Sequence, residues 1–270
     1  MEDADDGLRD GYFFIGADNP HGDSSGVRGN ERCALSISRR LDFNAQKLEA
    51  GAGFHRFVWD LHEARPPAIR YGYGIGAVWG EGTPIQPGGA WVLPGKYTVA
   101  LAVNGKTYNA PLSVTEDPRI KVSLADLKAS SELSQQIAAI SAEARIGYGE
   151  QRAVAKQLDG IKDKSLHAFV DRVRDKPAPG APTFENVDSI LTSIEGDLES
   201  VDDAPTAAEH QAFDDAKSKL ADLQRRWNAT KSGPLVALNA ALEKSGKKPV
   251  TVPPPNALDF STTDEGQDLP

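Results

Sequence analysis

Four aromatic residues, Tyr71, Tyr73, Trp79 and Trp91, stand within one glycine- and proline-rich stretch, PPAIRYGYGIGAVWGEGTPIQPGGAWVLPG, residues 66–95. Rings carried on a permissive backbone suit stacking against a sugar face or contact with another protein. They suit equally the plainer task of covering a sheet edge or the end of a helix bundle, which is the preferred reading. A stretch of this length between elements is functional, packed by its own side chains, or mobile. Gly72, Gly74 and Gly76 form a GxGxG string in the same stretch. A phosphate cradle needs a strand before the glycines and a helix N-terminus after them. Prolines precede this string and further loop follows it, so no nucleotide site is expected.

The remaining chemistry-bearing residues form no constellation. His21, His55, His62, His167 and His210 make no HxH, HExxH or cysteine-paired spacing. Ser24-Ser25 and Ser130-Ser131 have no GxSxG context. Asp202-Asp203 stands where one helix pattern ends and another begins, which suits capping electrostatics. Asp60, after Trp59, suits a turn in which its carboxylate accepts from the backbone. A general-acid role would need a second carboxylate at a defined distance, and the sequence names none. No catalytic residue, cofactor or metal ligand is therefore expected.

Length and composition bound the possibilities. A chain of 270 residues has room for two modest domains, and 39% hydrophobic against 26% charged residues permits a core. The net charge of −9 argues against nucleic acid and anionic membrane surfaces as partners. No apolar run is long enough to span a bilayer. The opening MEDADDGLRDGY lacks the layout of a signal peptide. The lone Cys33 excludes an internal disulfide framework and a cysteine metal site.

The elements that must position the aromatic stretch are legible on both sides of it. Residues 94–115 read as a β-hairpin: Tyr97, Val99, Leu101 and Val103 alternate with smaller residues, Asn104-Gly105 suits a type I′ turn, and Tyr108, Ala110, Leu112 and Val114 continue the alternation. FHRFVWDLH predicts a half-buried strand at 54–61, and GYFFIG a short strand at 11–16. Asp117-Pro118 closes the β region. From Ser123 the period lengthens. Leu133, Ile137, Ile140, Ala144, Gly147, Gln151, Val154, Leu158 and Ile161 trace a coiled-coil-like seam, with Gly147 and Gln151 softening its middle and Gly160 near its end. Leu166, Phe169, Val170 and Val173 carry a further short segment. Thr183 opens a helix, and Thr206 with Glu209 opens another as a capping box. Gly233-Pro234 interrupts the latter, and Gly246 stops its continuation. Striped helices joined by loops imply an antiparallel bundle.

Four segments in order carry a family resemblance: GFHRFVWDLH, LPGKYTVALAVNGKTYNAPLSVTEDPRI, SLADLKASSELSQQIAAI, and PTAAEHQAFDDAKSKLADLQRRW with PLVALNAAL. Together they resemble the C-terminal region of bacterial proteins with sortilin-like or BNR-type β-propeller repeats, often labelled exo-α-sialidase-like or glycosyl hydrolases. The resemblance covers about residues 51–250. It implies an exported protein in which a propeller precedes a small immunoglobulin-like sandwich and a helical tail. No Ser/Thr-x-Asp-x-Gly-x-Thr-Trp repeat occurs here, so a sialidase's arginines and tyrosines have no counterparts to map onto.

The expected fold is α+β: a small immunoglobulin-like β-sandwich, incomplete on the sequence, followed by an antiparallel helical bundle. The expected divisions are an ill-defined segment at 1–50, the sandwich at 51–118, the bundle at 119–250 and a disordered tail at 251–270. The expected function is a non-catalytic accessory module that docks on a β-propeller of the same parent protein, or binds another protein or a glycan. The alternatives are part of a glycoside hydrolase whose site lies in an absent propeller, and a protein that self-associates through its helical seam. The location implied by the resemblance is extracellular or periplasmic.

Overall fold

A computed structural model describes residues 11–17, 54, 59–73, 85–103, 106–174 and 180–258, with backbone alone at 11–17, 102 and 103. The fold is α+β. Its Cα packing separates two units: one takes in residues up to His62 together with Val92–Leu124, the other Glu63–Trp91 together with everything from Ala125 onward.

The first unit holds a three-stranded antiparallel sheet in the order β1 (Gly11–Ala17), β4 (Gly95–Val103), β5 (Lys106–Val114). The hairpin β4–β5 forms as its alternation predicts. Val103 pairs with Lys106, and Leu101 with Tyr108, a register that leaves two residues for the turn. The turn residues, Asn104 and Gly105, lie outside the described residues. The strand foreseen in GYFFIG is β1, which pairs Phe13 with Leu101 and Ile15 with Val99. β5 is an edge strand in this order, which accommodates Pro111, a residue without an N–H to give to a further neighbour.

The strand expected at 54–61 does not form at its described residues. Phe54, Trp59 and Asp60 have no strand geometry, and 55–58 lie outside the described residues. Local bonding organises Trp59 to His62 instead. The Trp59 indole N–H donates to the His62 carbonyl at 2.9 Å, and the His62 N–H donates to Asp60 Oδ1 at 3.1 Å, the turn-making role foreseen for Asp60. Leu61 between them is held at φ +65°, a strained value for a residue with a side chain. Trp59 packs edge-on against Tyr97 of β4, centroids 6.0 Å apart.

The second unit is a helical core: α1 (Leu124–Asp159), α2 (His167–Arg174), α3 (Phe184–Ser200), α4 (Ala207–Ser232) and α5 (Pro234–Lys244). α1 starts directly after Ser123 and ends at Asp159, before Gly160. Thr183 and Asn186 form a capping box on α3, and Thr206 and Glu209 another on α4. Gly233-Pro234 divides α4 from α5, because proline at the first helical position starts a helix but cannot continue one. α5 stops in a Schellman arrangement. Lys247 N–H donates to the Leu242 carbonyl and Gly246 N–H to Glu243, with Gly246 at φ +67°.

Side-chain pairs give the helix directions. Ser134 meets Glu195 while Gly147 meets Phe184, so α3 runs against α1. Glu143 meets Gln224 and Glu150 meets Lys231, so α4 runs with α1. The seam of α1 is spent on this packing: Leu133, Ile137, Ala144, Val154 and Leu158 are buried with Val187, Leu191, Leu198, Phe213, Leu220 and Leu238. Gly147, which the sequence marks as a soft point, is where the fully buried Phe184 ring lies against α1. A Cβ there would stand 2.5 Å from that ring.

Two boundaries differ from the sequence reading. Residues 63–91, counted with the sandwich at 51–118, pack with the helices, because Ile69 enters the helical core and α3 supplies acceptors for the segment's backbone. Residues 251–258, counted with a disordered tail at 251–270, lie partly along the bundle. Thr251 exchanges hydrogen bonds with Gln157 at 2.8 and 2.9 Å, and Val252 packs on the core. The rest of that tail and most of segment 1–50 lie outside the described residues.

Candidate functional site

Three carboxylates on α3 organise the segment that carries the candidate aromatics. Asp188, Glu195 and Glu199 are spaced seven and four apart, which places them on one side of a helix. Asp188 Oδ1 accepts from the Ile69 N–H at 3.0 Å. Glu199 Oε1 accepts from Gly88 N–H at 2.7 Å and Gly89 N–H at 2.8 Å, while the Glu199 carbonyl accepts from the Trp91 indole at 3.0 Å. A segment with little regular structure must satisfy most of its backbone groups elsewhere, and here acidic side chains supply acceptors. The result is a strap, formed by residues 63–73 and 85–91, laid on the bundle. Its own Pro66, Ala68, Ile69, Pro87, Gly89 and Ala90 are buried.

The strap closes at its neck, where the Glu63 N–H donates to the Ala90 carbonyl at 2.8 Å. Gly89 adopts φ +112°, and a Cβ there would lie 3.0 Å from the carbonyl oxygens of Glu63 and Ala64, so only glycine suits this position. Within the strap, a ribbon pairs β2 (Gly72–Tyr73) with β3 (Ile85–Gln86). Outside it, Arg70 meets Glu185 of α3 at 3.0 Å.

The electrostatics follow from burial. Asp188 is 4% exposed, and loss of water pushes its carboxyl up to about 6, against the opposing pull of the Ile69 and Arg70 N–H groups and the Arg145 and Arg70 charges. Glu195 is 1% exposed and is pushed up to about 7, first by burial and further by the charges of Glu199 and Glu63. Its Oε1 accepts from the Ser134 hydroxyl, whereas its Oε2 has no hydrogen-bond partner among the described residues. Glu63, bonded to Gln135 at 3.3 Å, is also raised by burial. Carboxyls that titrate near neutrality are the usual material of acid–base catalysis. A general acid must nevertheless reach its substrate within hydrogen-bond distance, and Glu195 is sealed under packed chain. The arrangement holds a strap in place. Among the described residues no group of three or more His, Cys, Asp or Glu could hold a metal ion.

The structure separates the sequence candidates by role. Tyr71 is half-buried, and its hydroxyl donates to the Pro66 carbonyl at 2.9 Å and accepts from the Ala68 N–H at 3.1 Å, with Arg65 stacked 5.6 Å from its ring centre. It pins the strap's first turn. Tyr73, on β2, and Trp91, at the strap's end, are each 43% exposed. Trp79 lies outside the described residues, as do Gly74 and Gly76. His62 takes part in the turn with Asp60, 3.6 Å from its Oδ2. Asp188, Glu195, Glu199 and Glu63 were not singled out from sequence. The available signal was placement: Asp188 and Glu195 flank Val187 and Ile194 on the apolar stripe of α3, where an acid has no solvent.

No helix among the described residues is long and apolar enough to cross a membrane. Comparison of the chain with protein-family models, with curated proteins and with solved structures returns no match.

Proposed function

We propose that this chain is a non-catalytic accessory module that presents the exposed rings of Tyr73 and Trp91 to a macromolecular or glycan partner. One observation carries the reading: the two acids with raised carboxyls on α3, Asp188 and Glu195, are buried away from any substrate, while the strap exposes the aromatic rings of Tyr73 and Trp91. Aromatic surface held on an anchored backbone binds with little loss of freedom. On the family resemblance, the partner is a β-propeller of the same parent protein or a surface glycan, and the location is extracellular or periplasmic. The sheet β1–β4–β5 is read as one layer of an immunoglobulin-like sandwich, supported by its antiparallel register and by Pro111 on an edge strand.

The test is capture of the purified chain on immobilised glycans and on a recombinant propeller. Tyr73→Ala and Trp91→Ala are each expected to weaken capture roughly fivefold to tenfold, the effect of one stacked ring. Saturable hydrolysis of a sialoside or another glycoside by the purified chain would overturn the reading. Self-association through the α1 seam gains no support, since Leu133, Ile137, Ala144, Val154 and Leu158 are each at most 2% exposed within one chain.

A further inference from the structure

A second feature of the helical unit is independent of the strap's aromatic face. A cavity of about 370 Å³ opens where the C-terminal half of α1, the end of α2, the start of α3 and the C-terminal part of α4 converge. That volume lies within the range of pockets that take small molecules. Its walls combine two chemistries. Tyr148, Phe184 and Trp227 supply aromatic surface, and Arg152, Arg174 and Arg226 supply guanidinium groups. Three arginines around one opening are a marked local excess in a chain of net charge −9.

The arginines are not equivalent. Arg174 is held by Asp159 at 2.5 Å. Arg152 is exposed and has no hydrogen-bond or ion-pair partner among the described residues. Among the described lining residues Glu185 is the one acid, and its charge is engaged by Arg70 at 3.0 Å. The Trp227 indole N–H is directed to Glu150 at 2.6 Å, which fixes the ring and leaves no polar hydrogen for a ligand to satisfy. Lys231, 5.8 Å from the Trp227 ring centre, is paired with the same Glu150 at 2.8 Å.

We propose that this cavity is a binding site for a small organic anion with a flat apolar body, such as an aromatic carboxylate or sulfonate. The flat body rests against Trp227 and Tyr148, and the anionic group meets Arg152, whose planar fork matches an oxyanion. Arg226, like Arg174, is already engaged, so the contact to the anion falls to Arg152. A neutral aromatic compound gains the apolar contact alone, and a simple inorganic anion gains the charge alone, so both bind more weakly than the combined ligand.

The test uses the full chain and 8-anilinonaphthalene-1-sulfonate as probe, followed by its fluorescence, with the Trp227 indole resonance monitored by NMR. Saturable one-site binding that shifts the Trp227 resonance is expected. Arg152→Glu is expected to weaken it about tenfold, the loss of one charge-assisted contact. The neutral analogue N-phenyl-1-naphthylamine is expected to bind more weakly than the sulfonate. Ala155→Trp, at an exposed lining position, should abolish binding without changing charge. Circular dichroism of both variants should match the parent chain. Equal affinity in the parent and Arg152→Glu, equal affinity for the neutral analogue, binding that leaves Trp227 unmoved, or absence of binding would each overturn the proposal.

Discussion

At Gly147 a single missing methyl decides how closely two helices approach. Alanine is about 1 kcal/mol better than glycine inside a helix, so Gly147→Ala on helix propensity alone should stabilise α1. The structure reverses that sign, since the added Cβ would stand 2.5 Å from the Phe184 ring and overpacking of this kind costs about 1–3 kcal/mol. A lower melting temperature is expected, by about 1 kcal/mol in stability once the propensity gain is offset. Phe184→Leu combined with Gly147→Ala should lose less than the sum of the two single changes, which a double-mutant cycle measures.

Glu195 makes a residue-scale prediction of a different kind. Its folded-state carboxyl is raised from 4.5 to about 7, so the folded chain holds this proton where the unfolded chain has released it. Stability from this group is therefore intact below 4.5, falls as pH climbs towards about 7, and stays reduced above that. Asp188, raised from 3.8 to about 6, acts in the same direction. Glu195→Gln keeps an oxygen for the Ser134 hydroxyl and cannot ionise. It should raise stability at pH 8 by on the order of 1–3 kcal/mol and change little at pH 4. Equal effects of the substitution in thermal melts at the two pH values would contradict this account.

At the scale of elements, the strap depends on acceptors supplied by α3. Glu199→Ala removes the acceptor for two buried or half-buried N–H groups, Gly88 and Gly89. Leaving such donors unsatisfied costs about 1–3 kcal/mol. Amide exchange at Gly88, Gly89 and Ala90 should accelerate by about tenfold to a hundredfold, with α3 itself still protected. Unchanged exchange at those three amides would mean that the neck bond and the buried prolines hold the strap without Glu199. The helices around this strap were largely legible. Thr183, Thr206, Gly233-Pro234 and Gly246 mark their ends because capping and chain-breaking are local chemistry, readable within a few residues. The strap's place was not legible. Ile69 and Asp188 are 119 residues apart, and nothing near Ile69 in sequence announces a partner at that distance. A carboxylate serving as acceptor for loop backbone looks, in sequence, like any surface acid. Tyr71 likewise reads as a candidate for stacking, although its hydroxyl is committed to its own turn.

For the molecule as a whole, the buried residues among those described all belong to the unit formed by Glu63–Trp91 and the helices. A shortened chain spanning 119–258, the bundle as its periodicity alone would delimit it, leaves the site of Ile69 open and deprives Asp188 and Glu199 of their partners. It is expected to melt at lower temperature and with a broader transition than a chain spanning 54–258, as followed by circular dichroism. Matching melts would show that the strap is a passenger on a self-sufficient bundle. The hairpin, by contrast, was legible as an element and not as a domain. Its alternation set β4, β5 and their register, but a face that alternates does not name the layer that covers it.

The threading of the chain also sets an order of events. The strap leaves the ribosome first, then the hairpin, and only later the helix that receives the strap. With 119 residues between Ile69 and Asp188, translation at about 5–20 residues per second leaves the strap waiting on the order of 6–24 s for α3. During that interval Ile69 and the glycine-rich neck have no surface to close on, while β4 and β5 can already pair with each other. Synthesis from the N-terminus therefore favours a nascent chain in which the hairpin matures first and the strap remains open to chaperones and proteases.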